Sequence, residues 1–235
     1  MSPQGHQKTQ VIVVAAGEGT RLKSVVPKPF VCLGGRPVLA YSLDVFEQCS
    51  LVEGVVVVVH ADRQETCQAL THDQGWRKIS CVVAGGRTRA ESVANGLKAL
   101  DADTQFVAIH DGARPLVSLG IVEEAIRVCY HEKAVIVAVP VKPTIKRVNL
   151  KDLTVVETID RRDLWEIQTP QVFSRELIVR AHQGANSASA TDDATLVERL
   201  GQQVKIVTGD YRNIKITTPE DLLIAESLLR AGVNG

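Results

Sequence analysis

The chain has 235 residues, 45 % hydrophobic and 23 % charged, an ordinary globular composition with enough length to bury a substantial core. Its 27 basic side chains balance its 27 acidic ones, so no net field draws it to nucleic acid or an acidic membrane, and an anionic ligand must be met by locally gathered cations. Five scattered cysteines without a C-x-x-C pair argue against a disulfide framework or zinc cluster and for a reducing compartment.

The first ten residues are polar and lack the apolar region of a signal peptide. No apolar run approaches the roughly 20 residues of a membrane helix. The expectation is a soluble, cytoplasmic protein that engages neither nucleic acid nor membrane.

Apolar, β-branched runs recur at 10–16, 54–60, 79–85, 105–111 and 134–141. Runs that are apolar on both pleat faces suit strands buried between helices. Helix-like stretches separate them at 37–49, where Leu39, Leu43 and Phe46 share a face, and at 62–71, 89–100 and 118–131. This alternation predicts a mainly parallel, twisted, Rossmann-like α/β sheet sandwiched by helices. The rhythm breaks at 143–165, which reads as two strands around the polar turn Asn149–Asp152. These residues are too polar to form a core alone, so an arm at about 142–166 is expected to pack on another surface, most economically a second copy of the chain. Helical patterns return at 174–184, 191–200 and 218–231, with a strand at 203–207. The expectation is a single domain over 1–235 that carries the arm.

The first strand ends in Ala15-Ala16-Gly17-Glu18-Gly19-Thr20-Arg21-Leu22, followed by Pro27-Lys28-Pro29. Gly17 and Gly19 allow a sharp turn and let backbone N–H groups approach phosphate oxygens. Leu22 replaces the third glycine of G-x-G-x-x-G, and no Gly-Lys-Ser/Thr follows, so neither a dinucleotide fingerprint nor a Walker loop is present. Arg21 and Lys28 put two cations beside the turn, suited to a triphosphate and to charge moving onto departing pyrophosphate. This string resembles the signature of the sugar-nucleotide pyrophosphorylase and cytidylyltransferase superfamily.

Further segments narrow the resemblance to the methylerythritol phosphate cytidylyltransferase family. They are Ala84 to Val93, His110-Asp111-Gly112-Ala113-Arg114-Pro115, the arm with Thr169-Pro170-Gln171, Thr191-Asp192-Asp193, and Asn213 to Asp221. The resemblance implies catalytic roles for Arg21, Lys28 and Lys215. It implies nucleotide contacts from Ala15, Ala16, Gly17, Gly19, Gly85, Gly86, Arg89, Ser92, Asp111 and Gly112, with Asp111 near Mg²⁺, whether in direct or indirect contact. It implies an acceptor pocket formed by Arg114, Thr144, Arg161, Thr169 and Thr191, reached in part across a homodimer interface. Read without the resemblance, Ser92 and Thr191 are helix caps, Arg114 is a structural partner of Asp111, and the arm residues are solvated charges. The implied reaction joins CTP to 2-C-methyl-D-erythritol 4-phosphate in isoprenoid precursor synthesis. A pentitol phosphate such as ribitol 5-phosphate is the alternative acceptor.

Overall fold

The computed structural model describes residues 7–17, 19, 22, 27–184 and 190–233. Its first half alternates strand and helix. Strand β1 (Thr9–Ala15) is followed by a two-residue ribbon, β2 (Cys32–Leu33) and β3 (Arg36–Pro37), and then α1 (Val38–Gln48). Next come β4 (Gly54–Val59), α2 (Gln64–Gln74), β5 (Ile79–Ala84), α3 (Arg89–Lys98), β6 (Phe106–Asp111), α4 (Leu119–Glu132) and β7 (Ala134–Pro140). A separate antiparallel pair follows, β8 (Ile145–Asn149) with β9 (Thr154–Ile159). The chain closes with β10 (Trp165–Ser174), α5 (Arg175–His182), α6 (Asp193–Glu198), β11 (Lys205–Thr208) and α7 (Pro219–Val233). No helix among the described residues is long and apolar enough to cross a membrane.

The central sheet runs β11-β7-β10-β6-β1-β4-β5. Pairings are parallel except along β10, which lies antiparallel to both β6 and β7. Side chains alternate across the pleat and so divide the core into two layers. Val11, Val13, Val55, Val57 and Ala108 face α1, α2 and α4, whereas Ile12, Val56, Val58, Val107 and Ile109 face α3, α5 and α6. Leu39, Leu43 and Phe46 on α1 are fully buried, as their spacing requires. A third, smaller core joins Leu33 of β2 to Ile216 and to Ala225 of α7.

The expected α/β sandwich is present, with two corrections. Residues 165–174 form β10, a strand in the middle of the sheet, so the protruding arm ends before Trp165 pairs with Pro140. Polar residues at the centre of β10 hide it from an apolar pattern. Gln168, Thr169 and Gln171 are all buried, and the register against β7 shifts between Ile167 and Gln171. Their polar groups find partners from distant loops. Gln168 Nε2 donates to the Asp210 carbonyl at 2.8 Å, Asn213 Nδ2 donates to the Thr169 carbonyl at 3.0 Å, and Gln171 Nε2 donates to Asp192 at 2.8 Å. The ribbon of β2 and β3 is the second element not expected from the sequence.

The arm turns where the sequence places it. Asn149 Oδ1 accepts from Lys151 N, Asp152 Oδ1 accepts from Thr154 N, and Leu153 takes a left-handed conformation with φ 57°.

Phe46 is fully buried and meets His110 edge-on, with ring centroids 5.2 Å apart. Phe46→Ala is expected to lower stability by about 3–5 kcal/mol, read as a reduced urea midpoint with an unchanged m value.

Candidate active site

Strands β1, β4, β5 and β6 all end at one rim of the sheet, and a cleft of about 800 Å³ opens there. This is where α/β sheets place their ligands, because neighbouring strand-to-helix turns diverge at the carboxyl ends. Ala15, Ala16, Gly17 and Gly19 line the cleft after β1, Lys28 and Pro29 flank them, and His60 and Ala61 follow β4. Gly85 to Arg89, with Glu91 and Ser92, follow β5; Asp111 and Ala113 follow β6; Lys215 closes the wall.

Two glycines set the shape. Gly19 has φ 66°, and a Cβ there would stand 2.7 Å from Lys28 Cβ, so its absence lets the loop lie against the lysine stem. A Cβ on Gly85 would collide with Ala16 Cβ and stand 2.8 Å from Ser92 Oγ. Only glycine keeps the space between these two loops open.

The start of α3 is built to hold the Gly85–Gly86 turn. Thr88, not Ser92, is its N-cap, accepting from Glu91 N at 3.1 Å. Glu91 reaches back to accept from Arg87 N at 2.8 Å, a relative of the capping box. Ser92 is 2 % exposed; its hydroxyl donates to the Thr88 carbonyl at 2.9 Å and accepts from Gly86 N at 3.1 Å. Ser92 therefore shapes the turn that faces the cleft.

A buried charge array crosses the floor. Asp111 ends β6 and is 7 % exposed. Lys215 Nζ lies 2.6 Å from its Oδ2, and Arg89 Nε donates to its Oδ1 at 3.3 Å. Burial opposes ionisation of Asp111, but the charges of Arg89 and Lys215 prevail and hold its carboxyl well below the usual carboxylate range. Arg89 Nη1 also lies 2.7 Å from Asp193 Oδ2, and Asp193 Oδ1 is 3.0 Å from His182 Nε2. Burial works against the Arg89 guanidinium, while Asp193 and Asp111 raise its affinity for the proton above the ordinary value.

Behind Asp111, Thr169 Oγ1 accepts from Asp111 N at 3.1 Å and bonds His110 Nδ1 at 3.1 Å. His110 Nε2 faces the Arg114 carbonyl at 3.2 Å. An oxygen that can only accept at Nε2 assigns the proton there, and the Thr169 hydroxyl donates to Nδ1. His110 is thus a neutral strut beneath the acid.

Lys28, Lys215 and the nucleotide-binding residues expected around Gly17, Gly85 and Asp111 therefore converge. Others do not reach the cleft wall. Gly112 faces inward, where a Cβ would meet Leu39, Val13 and Ala15. Arg114 is 6 % exposed and donates to the carbonyls of Asn213 at 2.7 Å and Ile167 at 3.2 Å, not to Asp111. Thr169 is buried beneath Asp111. Thr144 and Arg161 are exposed at the arm, with Arg161 donating to the Lys142 carbonyl. Thr191 is exposed beside Asp192, and Asp192 rather than Thr191 caps α6. Arg21 lies outside the described residues. Asp193 and His182 had no role in the sequence reading; the signal available was an acid pair, Asp192-Asp193, in which only the first is needed as a cap.

A glycine turn and cations gathered at the carboxyl ends of parallel strands define a nucleotide-binding α/β protein suited to phosphate-group transfer. A family profile described as "IspD: 2-C-methyl-D-erythritol 4-phosphate cytidylyltransferase" matches residues 9–231. A protein of that name from Caldanaerobacter subterraneus subsp. tengcongensis is 48 % identical over 222 residues, covering 93 % of this chain and 97 % of the relative. One from Alkaliphilus metalliredigens is 46 % identical over 231 residues, covering 97 % and 95 %. The crystal structure of 4-diphosphocytidyl-2C-methyl-D-erythritol synthase from Anaerococcus prevotii superposes with a TM-score of 0.84 at 33 % identity, covering 96 % of this chain and 97 % of that one. The chain belongs to the 2-C-methyl-D-erythritol 4-phosphate cytidylyltransferase family, and these relatives do not favour the pentitol phosphate alternative.

Full burial pushes the His110 pKa from 6.5 down to about 4. Between those values only the unfolded chain binds this proton, so the residue's contribution is fully present above 6.5 and is lost as pH falls toward 4. The loss is on the order of 3 kcal/mol. Urea titrations at pH 7.5 and 5 are expected to show this slope in the wild type and its reduction in His110→Asn.

Proposed function

We infer that the chain transfers the cytidylyl group of CTP to 2-C-methyl-D-erythritol 4-phosphate, yielding 4-diphosphocytidyl-2-C-methyl-D-erythritol and pyrophosphate. The observation that carries the reading is the convergence of Lys28, Lys215, Asp111 and Arg89 on a cleft walled by Gly17, Gly19 and the Gly85–Gly86 turn. An acceptor phosphate oxygen attacks the α-phosphorus of CTP, the bond from that phosphorus to the bridging oxygen breaks, and pyrophosphate leaves with the electron pair. The acceptor phosphate, with a second pKa of about 6, is already dianionic at neutral pH, so no general base is needed. Catalysis then consists of positioning and charge neutralisation.

Lys28 and Lys215 stabilise charge on the pentacoordinate phosphorus, and Arg21 assists the pyrophosphate. The narrow gap between Ala16, Gly85 and the Ser92-held turn suits a flat pyrimidine base. Asp111 is an ionised carboxylate on the cleft floor with Arg89 and Lys215 against its two oxygens, so it would face, through water, Mg²⁺ carried by the triphosphate. Bound there, Mg²⁺ supplies further neutralisation of phosphate charge. Arg114 and Thr169 bear on the acceptor side chiefly by fixing the Asn213, Ile167 and Asp111 backbones, and Thr191 lies at the start of α6 for the acceptor phosphate.

The arm is proposed as a dimerisation element of a single-domain protein in the cytoplasm. Leu150, Leu153, Val155 and Val156 are 83 %, 76 %, 59 % and 62 % exposed, an apolar surface that a second copy would cover. Thr144 and Arg161 would then complete the acceptor pocket of the partner, Arg161 through the planar fork that suits phosphate.

Pyrophosphate release with Mg²⁺, comparing methylerythritol phosphate with ribitol 5-phosphate and CTP with the other triphosphates, tests the substrates. Turnover confined to CTP and methylerythritol phosphate is expected; a preference for the pentitol phosphate would overturn the acceptor assignment. Lys28→Ala and Lys215→Ala are each expected to lower kcat by roughly 10²–10³ with the fold retained. Arg161→Ala is expected to raise the acceptor KM chiefly, and a rise confined to the CTP KM would contradict its placement.

A further inference from the structure

Asp193 has no part in the transfer chemistry above, yet it lies one side chain behind the cleft. It is 1 % exposed at the first residue of α6, and His182 of α5 beside it retains 4 % side-chain exposure. A carboxyl group at that depth has lost its hydration and is accommodated only where charges and donors replace the water. Capping does not account for it, because Asp192 already accepts from Thr195 N at 3.0 Å. Asp193 Oδ1 instead bonds His182 Nε2 at 3.0 Å, and Oδ2 pairs by charge with Arg89 Nη1 at 2.7 Å without hydrogen-bond alignment.

The consequence lies in how Arg89 meets Asp111. A guanidinium and a carboxylate left alone prefer two parallel hydrogen bonds, one to each oxygen. Such a fork would occupy both oxygens of Asp111 and compete with Lys215. Here Nη1, on the edge of the guanidinium opposite Nε, lies against Asp193 and sets the tilt of the group; only Nε reaches Asp111 Oδ1, at 3.3 Å, and Oδ2 is left for Lys215. We propose that Asp193, oriented by His182, is a positioning residue for the transfer reaction: it holds Arg89 to one oxygen of Asp111 and thereby keeps the other for Lys215. The order His182, Asp193, Arg89, Asp111, Lys215 alternates anion and donor from the buried side of α5 to the cleft. The proposal rests on the assignment of Lys215 and Asp111 as working groups of the cytidylyl transfer.

The test is steady-state pyrophosphate release by the full-length protein, with folding checked by circular dichroism. Asp193→Asn keeps the shape but removes the charge, and is expected to lower kcat tenfold to a hundredfold, roughly the effect of a misplaced catalytic group, while both KM values stay within about twofold. In a Lys215→Ala background the same substitution is expected to add less than about threefold, because the two changes act through one group. His182→Gln, which retains an amide donor, is expected to keep most of the wild-type kcat, whereas His182→Leu falls as Asp193→Asn does. This pair decides the matter if Asp193→Asn does not fold. Wild-type kcat in folded Asp193→Asn, an undiminished factor in the Lys215→Ala background, or equal losses in the two His182 variants would overturn the proposal. A wild-type protein that releases no pyrophosphate from CTP and methylerythritol phosphate would overturn the reaction itself, a result distinct from all of these.

Discussion

The ionised carboxylate of Asp111 is the point on which the arrangement depends. Placing it at the buried end of β6 takes a charge out of water, which is tolerable only because Arg89 and Lys215 stand against its two oxygens. Those partners come from the start of α3 and from the segment beyond β11. One electrostatic requirement therefore ties three distant stretches of chain to the floor of one cleft. The same requirement holds Lys215 at the cleft, so in the proposed transfer the stability of the resting site and its chemistry draw on the same cation.

The rest of the sheet supports that point from behind. Strand β10, inserted antiparallel, exchanges the apolar content of a middle strand for buried amides and a hydroxyl. Gln168 and Thr169 hold the Asp210–Asn213 turn that leads to Lys215, Thr169 holds the Asp111 backbone, and Gln171 holds the start of α6, where Asp193 sits. Buried polar groups of this kind carry a desolvation cost, and fully satisfied they fix geometry in a way that apolar packing does not. Neutral His110, braced between Thr169 and the Arg114 carbonyl, fills the space under Asp111 without adding a charge.

This division explains what could be read from the sequence. Strands β1, β4 and β6 are apolar on both faces because helices cover both, so runs such as 54–60 announce themselves, and Leu39, Leu43 and Phe46 mark the inner face of α1. The glycine turns are legible for a similar reason: a missing Cβ is a local property, as Gly85 shows. β10 is not legible, because Gln168, Thr169 and Gln171 are satisfied by residues 21 to 59 positions away, and nothing local reveals those partners. The convergence of Lys28 and Lys215 likewise came from family resemblance, since no local pattern joins residues so far apart in the chain. Gly112 and Arg114 belong to a matching motif, and the contacts they make are packing and backbone hydrogen bonds. Asp193 and His182 carry no sequence signal of their own, because a buried acid beside a helix cap looks, in sequence, like a second cap.

The most direct test of the account is kcat for pyrophosphate release by Asp111→Asn at saturating CTP, methylerythritol phosphate and Mg²⁺, with folding verified by circular dichroism. The substitution is nearly isosteric and removes only the charge that gathers Arg89 and Lys215. A folded protein whose turnover falls by roughly 10² or more is the expected result. Turnover near the wild-type rate in that folded variant would contradict the central place given to this carboxylate.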